Sequence, residues 1–149
     1  MIPSVLDLPT EAQTTALGAA VARALRPGEA VCLWGPLGAA KTTLARGLIR
    51  ALTSPDEEVP SPTFTLAQPY EGAIPLTHFD LYRLERPEEA EELGIWEALT
   101  DGVAIIEWPE RLGGRLPPDR LDIVLSLEGE GRRARLLAHG AFEGRALEL

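Results

Sequence analysis

The sequence predicts an α/β domain organised around a strand, a phosphate-binding loop and a helix, on three observations. The run Ala30-Val31-Cys32-Leu33-Trp34 is short, apolar and bounded by Gly28 and Gly35, as a buried strand is. Gly35-Pro36-Leu37-Gly38-Ala39-Ala40-Lys41-Thr42-Thr43 follows it and nearly matches GxxxxGK followed by Ser or Thr. Leu44, Leu48 and Ile49 then recur at helical spacing. Lys41 is the only lysine among 14 basic residues, and it stands where the motif requires one.

The other elements follow in order. Thr10-Glu11-Ala12-Gln13 is a capping box, and Ala16, Leu17, Ala20, Val21 and Ala24/Leu25 repeat behind it, so a helix runs from about 11 to 25 and ends at Arg26-Pro27-Gly28. Strand 30–34, the loop and a helix over 41–52 come next. Residues 53–62 carry prolines and charges and read as an exposed loop. Short strands are expected at 64–68 and 74–79, with Glu71-Gly72 turning between them. Pro87-Glu88-Glu89 opens a helix, with proline in the first turn and acids at the positive dipole end. Val103-Ala104-Ile105-Ile106 is a second buried strand, and 108–119 a proline- and glycine-rich loop. Leu121, Ile123, Val124, Leu125 and Leu127 mark a strand, which Glu128-Gly129-Glu130-Gly131 turns into a last strand near 132–138 as a hairpin. No internal repeat interrupts this single domain over 1–149.

The loop sets the chemistry. Its backbone N–H groups and the positive end of the next helix suit the β- and γ-phosphates of a nucleotide. Lys41 brings a point charge to the same oxygens, Thr42 offers its hydroxyl to Mg²⁺, and Thr43 falls beside the α-phosphate. Ala40 departs from the pattern, which has glycine there. A Cβ at this position crowds phosphate or strains a torsion, at a cost of about 1–3 kcal/mol. Three explanations stay open: a slightly opened loop, a chain that holds no nucleotide, or an introduced substitution.

Such a loop needs a carboxylate at the end of a neighbouring strand. Glu107 directly follows Val103–Ile106, and Asp80 follows Leu76-Thr77-His78-Phe79. If both strands run parallel to the first, both acids lie beyond the carboxyl ends of the sheet, where ligands bind in open α/β folds. Ser61-Pro62-Thr63-Phe64 ends the exposed loop, either as a plain turn or with hydroxyls meeting the γ-phosphate or a water. Arg83 reads as an ion pair or a phosphate contact. Trp108 reads as a core or loop anchor, or as a residue packed near the nucleotide. His78 reads as a satisfied strand histidine. Arg132, Arg133 and Arg135 are a solvated hairpin face or a phosphate or partner contact.

Composition bounds the class. The net charge of −9 argues against a broad nucleic-acid surface. There is neither an apolar run long enough to span a membrane nor a signal-peptide pattern. The lone Cys32 forms no internal disulfide and fits a core position, and cytoplasmic residence is the simplest expectation.

With these residues in place, the chain resembles the TsaE (YjeE) family, the small ATPase of bacterial tRNA threonylcarbamoyladenosine biosynthesis. The resemblance rests on Leu37-Gly38-Ala39-Ala40-Lys41-Thr42-Thr43, Ser61-Pro62-Thr63-Phe64, His78-Phe79-Asp80-Leu81-Tyr82-Arg83 and Glu107-Trp108-Pro109, with Pro87-Glu88-Glu89 to Leu93-Gly94 in support. It implies a P-loop NTPase-like fold with a mostly parallel central sheet flanked by helices, and a C-terminal antiparallel hairpin. It implies ATP hydrolysis supporting threonylcarbamoyl transfer to adenosine 37 of tRNAs that read ANN codons. The implied partner is the TsaB–TsaD heterodimer, with tRNA met only through that complex, no membrane, and a monomer or weak oligomer when alone. Carried over by motif, Leu37, Gly38, Ala39, Ala40, Lys41 and Thr42 would hold the phosphates of ATP or ADP. Thr42 and Glu107 would bind Mg²⁺. Asp80 and Thr63 would help with metal and water, Arg132 would touch the nucleotide, and Thr10 would lie near it. Two other functions compete: a nucleotide-defective interaction module, motivated by Ala40, and a small-molecule kinase, for which the sequence offers no arginine-rich lid.

Overall fold

A computed structural model of the chain describes residues 2–36, 40–62 and 65–149. Seven strands form one sheet: β1 (Val5–Leu8), β2 (Ala30–Trp34), β3 (Ala67–Tyr70), β4 (Leu76–Asp80), β5 (Val103–Glu107), β6 (Arg120–Glu128) and β7 (Gly131–His139). Their spatial order is β1-β7-β6-β2-β5-β4-β3. The four central strands, β6, β2, β5 and β4, are mutually parallel, and β7, β1 and β3 are added antiparallel at the flanks. This is the α/β sheet expected, with its hairpin β6–β7 at the C-terminal end.

Period-two alternation assigns the faces. Val31 and Leu33 of β2, and Val103 and Ile105 of β5, join one core with Leu17, Val21, Leu44, Leu48 and Ile49. Those last five belong to α1 (Glu11–Ala24) and α2 (Lys41–Leu52), which pack together on that face. Ala30, Cys32, Ala104 and Ile106 point the other way, into a second core with Phe79, Leu81, Ala90, Ile95 and Leu112. That side is covered by α3 (Glu89–Leu93), α4 (Ile95–Asp101) and a 3₁₀ turn over Pro109–Leu112. Both faces of β2 and β5 are therefore buried, which is why these strands are uniformly apolar. Cys32 is fully buried, and its thiol is pushed upward in pKa first by burial and then by Asp122. Among the described residues no helix is long and apolar enough to cross a membrane.

The two helices on the first face approach through glycines. A Cβ on Gly18 would overlap the Leu44 carbonyl oxygen, and one on Gly47 would overlap that of Thr15. Past β7 the chain turns back. Phe142 and Leu147 enter the first core, and the Arg145 guanidinium grips Glu29 with two bonds, at 2.6 and 2.7 Å, while lying 4.5 Å from the Phe142 ring.

Helix α1 starts on its expected capping box, with the Gln13 N–H donating to the Thr10 hydroxyl and the Thr10 N–H to the Gln13 side chain. Three expectations are corrected and one element was missed. Strand β1 was not foreseen; it is a four-residue edge paired to β7. The strand expected at 64–68 lies at Ala67–Tyr70, because Pro69 is tolerated on a sheet edge. Its partner, expected at 74–79, runs to Asp80. The helix opening at Pro87-Glu88-Glu89 is two short helices, broken by Gly94 at φ 83°.

Candidate functional site

The loop's last described residue explains why the motif has glycine there. Ala40 is the N-cap of α2 and sits at φ 75°, ψ 25°, in the left-handed region that favours glycine. Among the described residues no side chain caps this helix, and its positive dipole end suits an anion. Lys41 opens the helix and is 5% exposed. Its Nζ donates to the Gly35 carbonyl at 2.5 Å and lies 3.3 Å from the centroid of the Trp108 ring. Trp108 takes φ 61°, and the Tyr82 ring stands 4.9 Å from it. Burial pulls the Lys41 ammonium below the ordinary lysine value, against the opposing charges of Glu107, Glu110 and Asp80.

The two acids meet because β4 and β5 are parallel neighbours whose register sets Asp80 beside Glu107. Alternation places Leu76, His78 and Asp80 on one face of β4, and Val103, Ile105 and Glu107 on the same face of β5. That face looks toward α2. The Thr42 hydroxyl accordingly donates to Glu107 Oε1 at 3.2 Å. Asp80 is fixed from its own strand end, its Oδ1 accepting the Tyr82 N–H at 3.0 Å. Among the described residues no group of three or more His, Cys, Asp and Glu could cage a metal. The donors present are two carboxylates and a hydroxyl, all hard oxygens. Such a set suits Mg²⁺, which commonly takes one or two carboxylates, waters and the oxygens of a bound phosphate.

A second group gathers on the opposite flank of α2. Thr10, Glu11, Thr14, Ala40, Thr43, Glu130, Gly131 and Arg132 line a cavity of about 380 Å³. Pairing of β1 with β7 sets Leu8 against Arg132, which draws the start of α1 toward the hairpin. Gly131 is needed for this approach, since a Cβ there would press on the Pro9 backbone. The Thr10 hydroxyl is engaged in the helix cap. Arg132 donates through one Nη to the Gly131 carbonyl, while its buried Nε lacks a partner among the described residues.

The structure thus brings the residues singled out by sequence into two adjoining clusters: Lys41, Thr42, Asp80 and Glu107 at the carboxyl ends of the central strands, and Thr10, Ala40, Thr43 and Arg132 in the cavity. Leu37, Gly38, Ala39 and Thr63 lie outside the described residues. Trp108 is neither only core nor only an anchor, since it faces the motif lysine. Of the arginine cluster, Arg133 pairs with Asp7 and Glu128 on the outer face, while Arg132 turns to the cavity. His78 is a buried strand histidine, as expected, with a partner the sequence did not identify. Its Nε2 lies 2.5 Å from Glu107 Oε2, and its Nδ1 is buried without a partner among the described residues. The shared parity of His78 with Asp80, two residues on, was the available signal.

Comparison with known proteins follows this geometry. Residues 8–135 match the family described as threonylcarbamoyl adenosine biosynthesis protein TsaE. A TsaE of Nostoc sp. is 43% identical over 126 residues, covering 80% of this chain and 76% of that one. TsaE of Rickettsia felis is 38% identical, over 87% of this chain and 76% of its own. TsaE of Bacillus subtilis is also 38% identical, over 81% and 76%. The crystal structure of Bacillus subtilis YdiB aligns with a TM-score of 0.74 at 28% identity, covering 93% of this chain and 88% of that one. A strand, phosphate-loop and helix unit with two acids in register, carried on a sheet of this topology and matched at this level of identity, places the chain in the TsaE family of threonylcarbamoyl adenosine biosynthesis proteins.

Proposed function

We propose that this chain binds ATP with Mg²⁺ and hydrolyses it in support of threonylcarbamoyl transfer to adenosine 37 of tRNA, working with the TsaB–TsaD heterodimer. The observation that carries the reading is the Thr42–Glu107 contact with Asp80 in register beside it. The site fits the group on its own terms: an uncapped helix N-terminus, one buried ammonium, and hard oxygen donors at the strand ends. Leu37 to Thr42 would hold the phosphates, Thr42 and Glu107 the metal, and Asp80 and Thr63 would serve metal and water. The adjoining cavity, with Thr10, Thr43 and Arg132, is the place for the remainder of the nucleotide. Bound Mg²⁺ would neutralise charge on the phosphate oxygens. Lys41 must exchange the Gly35 carbonyl and the Trp108 face for phosphate oxygens, a change that keeps its ammonium against electron-rich groups throughout.

The surface charge agrees with tRNA being held by the partner complex, since a chain of net charge −9 repels a polyanion. One measurement tests the proposal: Mg²⁺-dependent ATP turnover with and without the TsaB–TsaD pair, against Lys41→Ala. Turnover that needs the partners and vanishes in Lys41→Ala supports it; none under any condition overturns it. In that event Ala40 favours the other reading, a module that contacts partners without nucleotide.

A further inference from the structure

We infer that His78 is a positioning residue, which aims the Glu107 carboxylate at Thr42 and at the cation expected there; this role rests on the function proposed above. Glu107 is a short-range hub with a side chain 3% exposed. Its Oε1 accepts from the Thr42 hydroxyl on α2, and its Oε2 accepts from His78 Nε2 on β4. The carboxylate is therefore held at both oxygens, from two elements. A carboxylate oxygen only accepts, so the hydrogen bond assigns the ring proton to Nε2. His78 is completely buried, with Gln68 of β3 and Ile105 of β5 as its cross-strand neighbours.

The cost of this arrangement argues for its purpose. His78 Nδ1 is buried without a partner among the described residues. An unsatisfied buried polar atom is expensive, and an apolar side chain of similar volume would fill the same space without that penalty. Packing alone therefore does not select histidine at this position. The bond to Glu107 does. Carboxylates that hold metals depend on such outer partners to fix their orientation, and losing one typically weakens metal binding about ten- to hundredfold.

The test uses His78→Phe, which keeps the volume and removes the donor, and His78→Gln, which returns an N–H at similar reach. Mn²⁺ binding to the ADP-loaded chain is followed by electron paramagnetic resonance, and ADP binding is measured separately in EDTA. The expected result is Mn²⁺ binding weakened about ten- to hundredfold in His78→Phe, largely restored in His78→Gln, with metal-free ADP binding unchanged in both. Should the Phe variant not fold, His78→Asn, whose shorter amide does not reach Glu107, takes its place. Wild-type Mn²⁺ affinity in the donor-free variant overturns the role and leaves the proposed function standing. A wild-type chain that binds neither ADP nor Mn²⁺–ADP overturns the proposed function, and the role with it. A metal-free readout tests the contact itself. The His78 ring ¹⁵N resonances must shift in Glu107→Ala, and unchanged resonances overturn the inference whatever the nucleotide data show.

Discussion

Replacing Ala40 by glycine separates two costs that the sequence motif confounds. Ala40 already occupies the left-handed region, at φ 75°, in the chain without ligand. For an L-residue with a Cβ that conformation costs about 1–2 kcal/mol. Glycine there removes the strain but adds freedom to the unfolded chain, which opposes folding by about 0.4–1 kcal/mol. Glycine is also a better N-cap than alanine. The net expectation for Ala40→Gly is a gain of about 0.5–1 kcal/mol, or roughly 1–4 °C in Tm for a chain of this size. The assay is urea unfolding of the ligand-free protein, in which the midpoint should rise while the slope stays fixed. Because the strained torsion is present before any ligand arrives, the gain should appear in stability rather than in affinity. The Kd for Mg²⁺–ADP should move less than about threefold, the equivalent of 0.6 kcal/mol. A midpoint that stays or falls, with affinity rising tenfold or more instead, would refute this reasoning. It would mean that the left-handed torsion is adopted only on binding.

Three other perturbations have calculable signs. Glu29→Gln leaves the Arg145 guanidinium, 9% exposed, without its carboxylate, and should cost about 3–5 kcal/mol in denaturant unfolding; a loss under 1 kcal/mol would mean that the C-terminal turn is not anchored there. Gly47→Ala drives a methyl group into the Thr15 backbone at the α1–α2 crossing, and should cost about 1–3 kcal/mol through helix separation; an unchanged melting curve would refute that close approach. Lys41 supplies the pH dependence. Its folded pKa lies below the ordinary 10.5, so between the two values the unfolded chain binds more protons and stability rises with pH. As pH rises toward the ordinary lysine value of 10.5 the urea midpoint of the wild type should therefore climb relative to Lys41→Met, and parallel profiles would count against a desolvated ammonium.

What the sequence disclosed depended on how locally each feature is encoded. Strand β2, helix α2 and the hairpin β6–β7 were legible because their apolar spacing and turn residues lie within a dozen positions of one another. The capping box at Thr10 and Gln13 was legible for the same reason. Strand β1 was not, because four residues carry too little alternation and the strand exists by virtue of β7, more than a hundred positions later. Strand β3 was misplaced because Pro69 argues against a strand unless one knows that it lies at an edge. Arg145 gave no signal at all; its partner Glu29 is far away in sequence.

The site divides along the same line. Lys41 and Thr42 belong to a contiguous motif, and each acid follows an apolar strand, so all four could be named in advance. Their relation could not. Alternation tells which face of β4 carries His78 and Asp80, but not which strand lies beside it or in what register. That is fixed when β4 enters the sheet parallel to β5 and opposes Asp80 to Glu107. Only then does His78, two residues earlier on the same face, come within hydrogen-bond reach of Glu107, 29 positions away. From sequence alone a histidine in an apolar strand has no such partner, and the packed core is the default. The register makes it a donor to the one carboxylate that also holds Thr42, so a residue outside the phosphate-loop motif comes to depend on the same geometry as the motif itself.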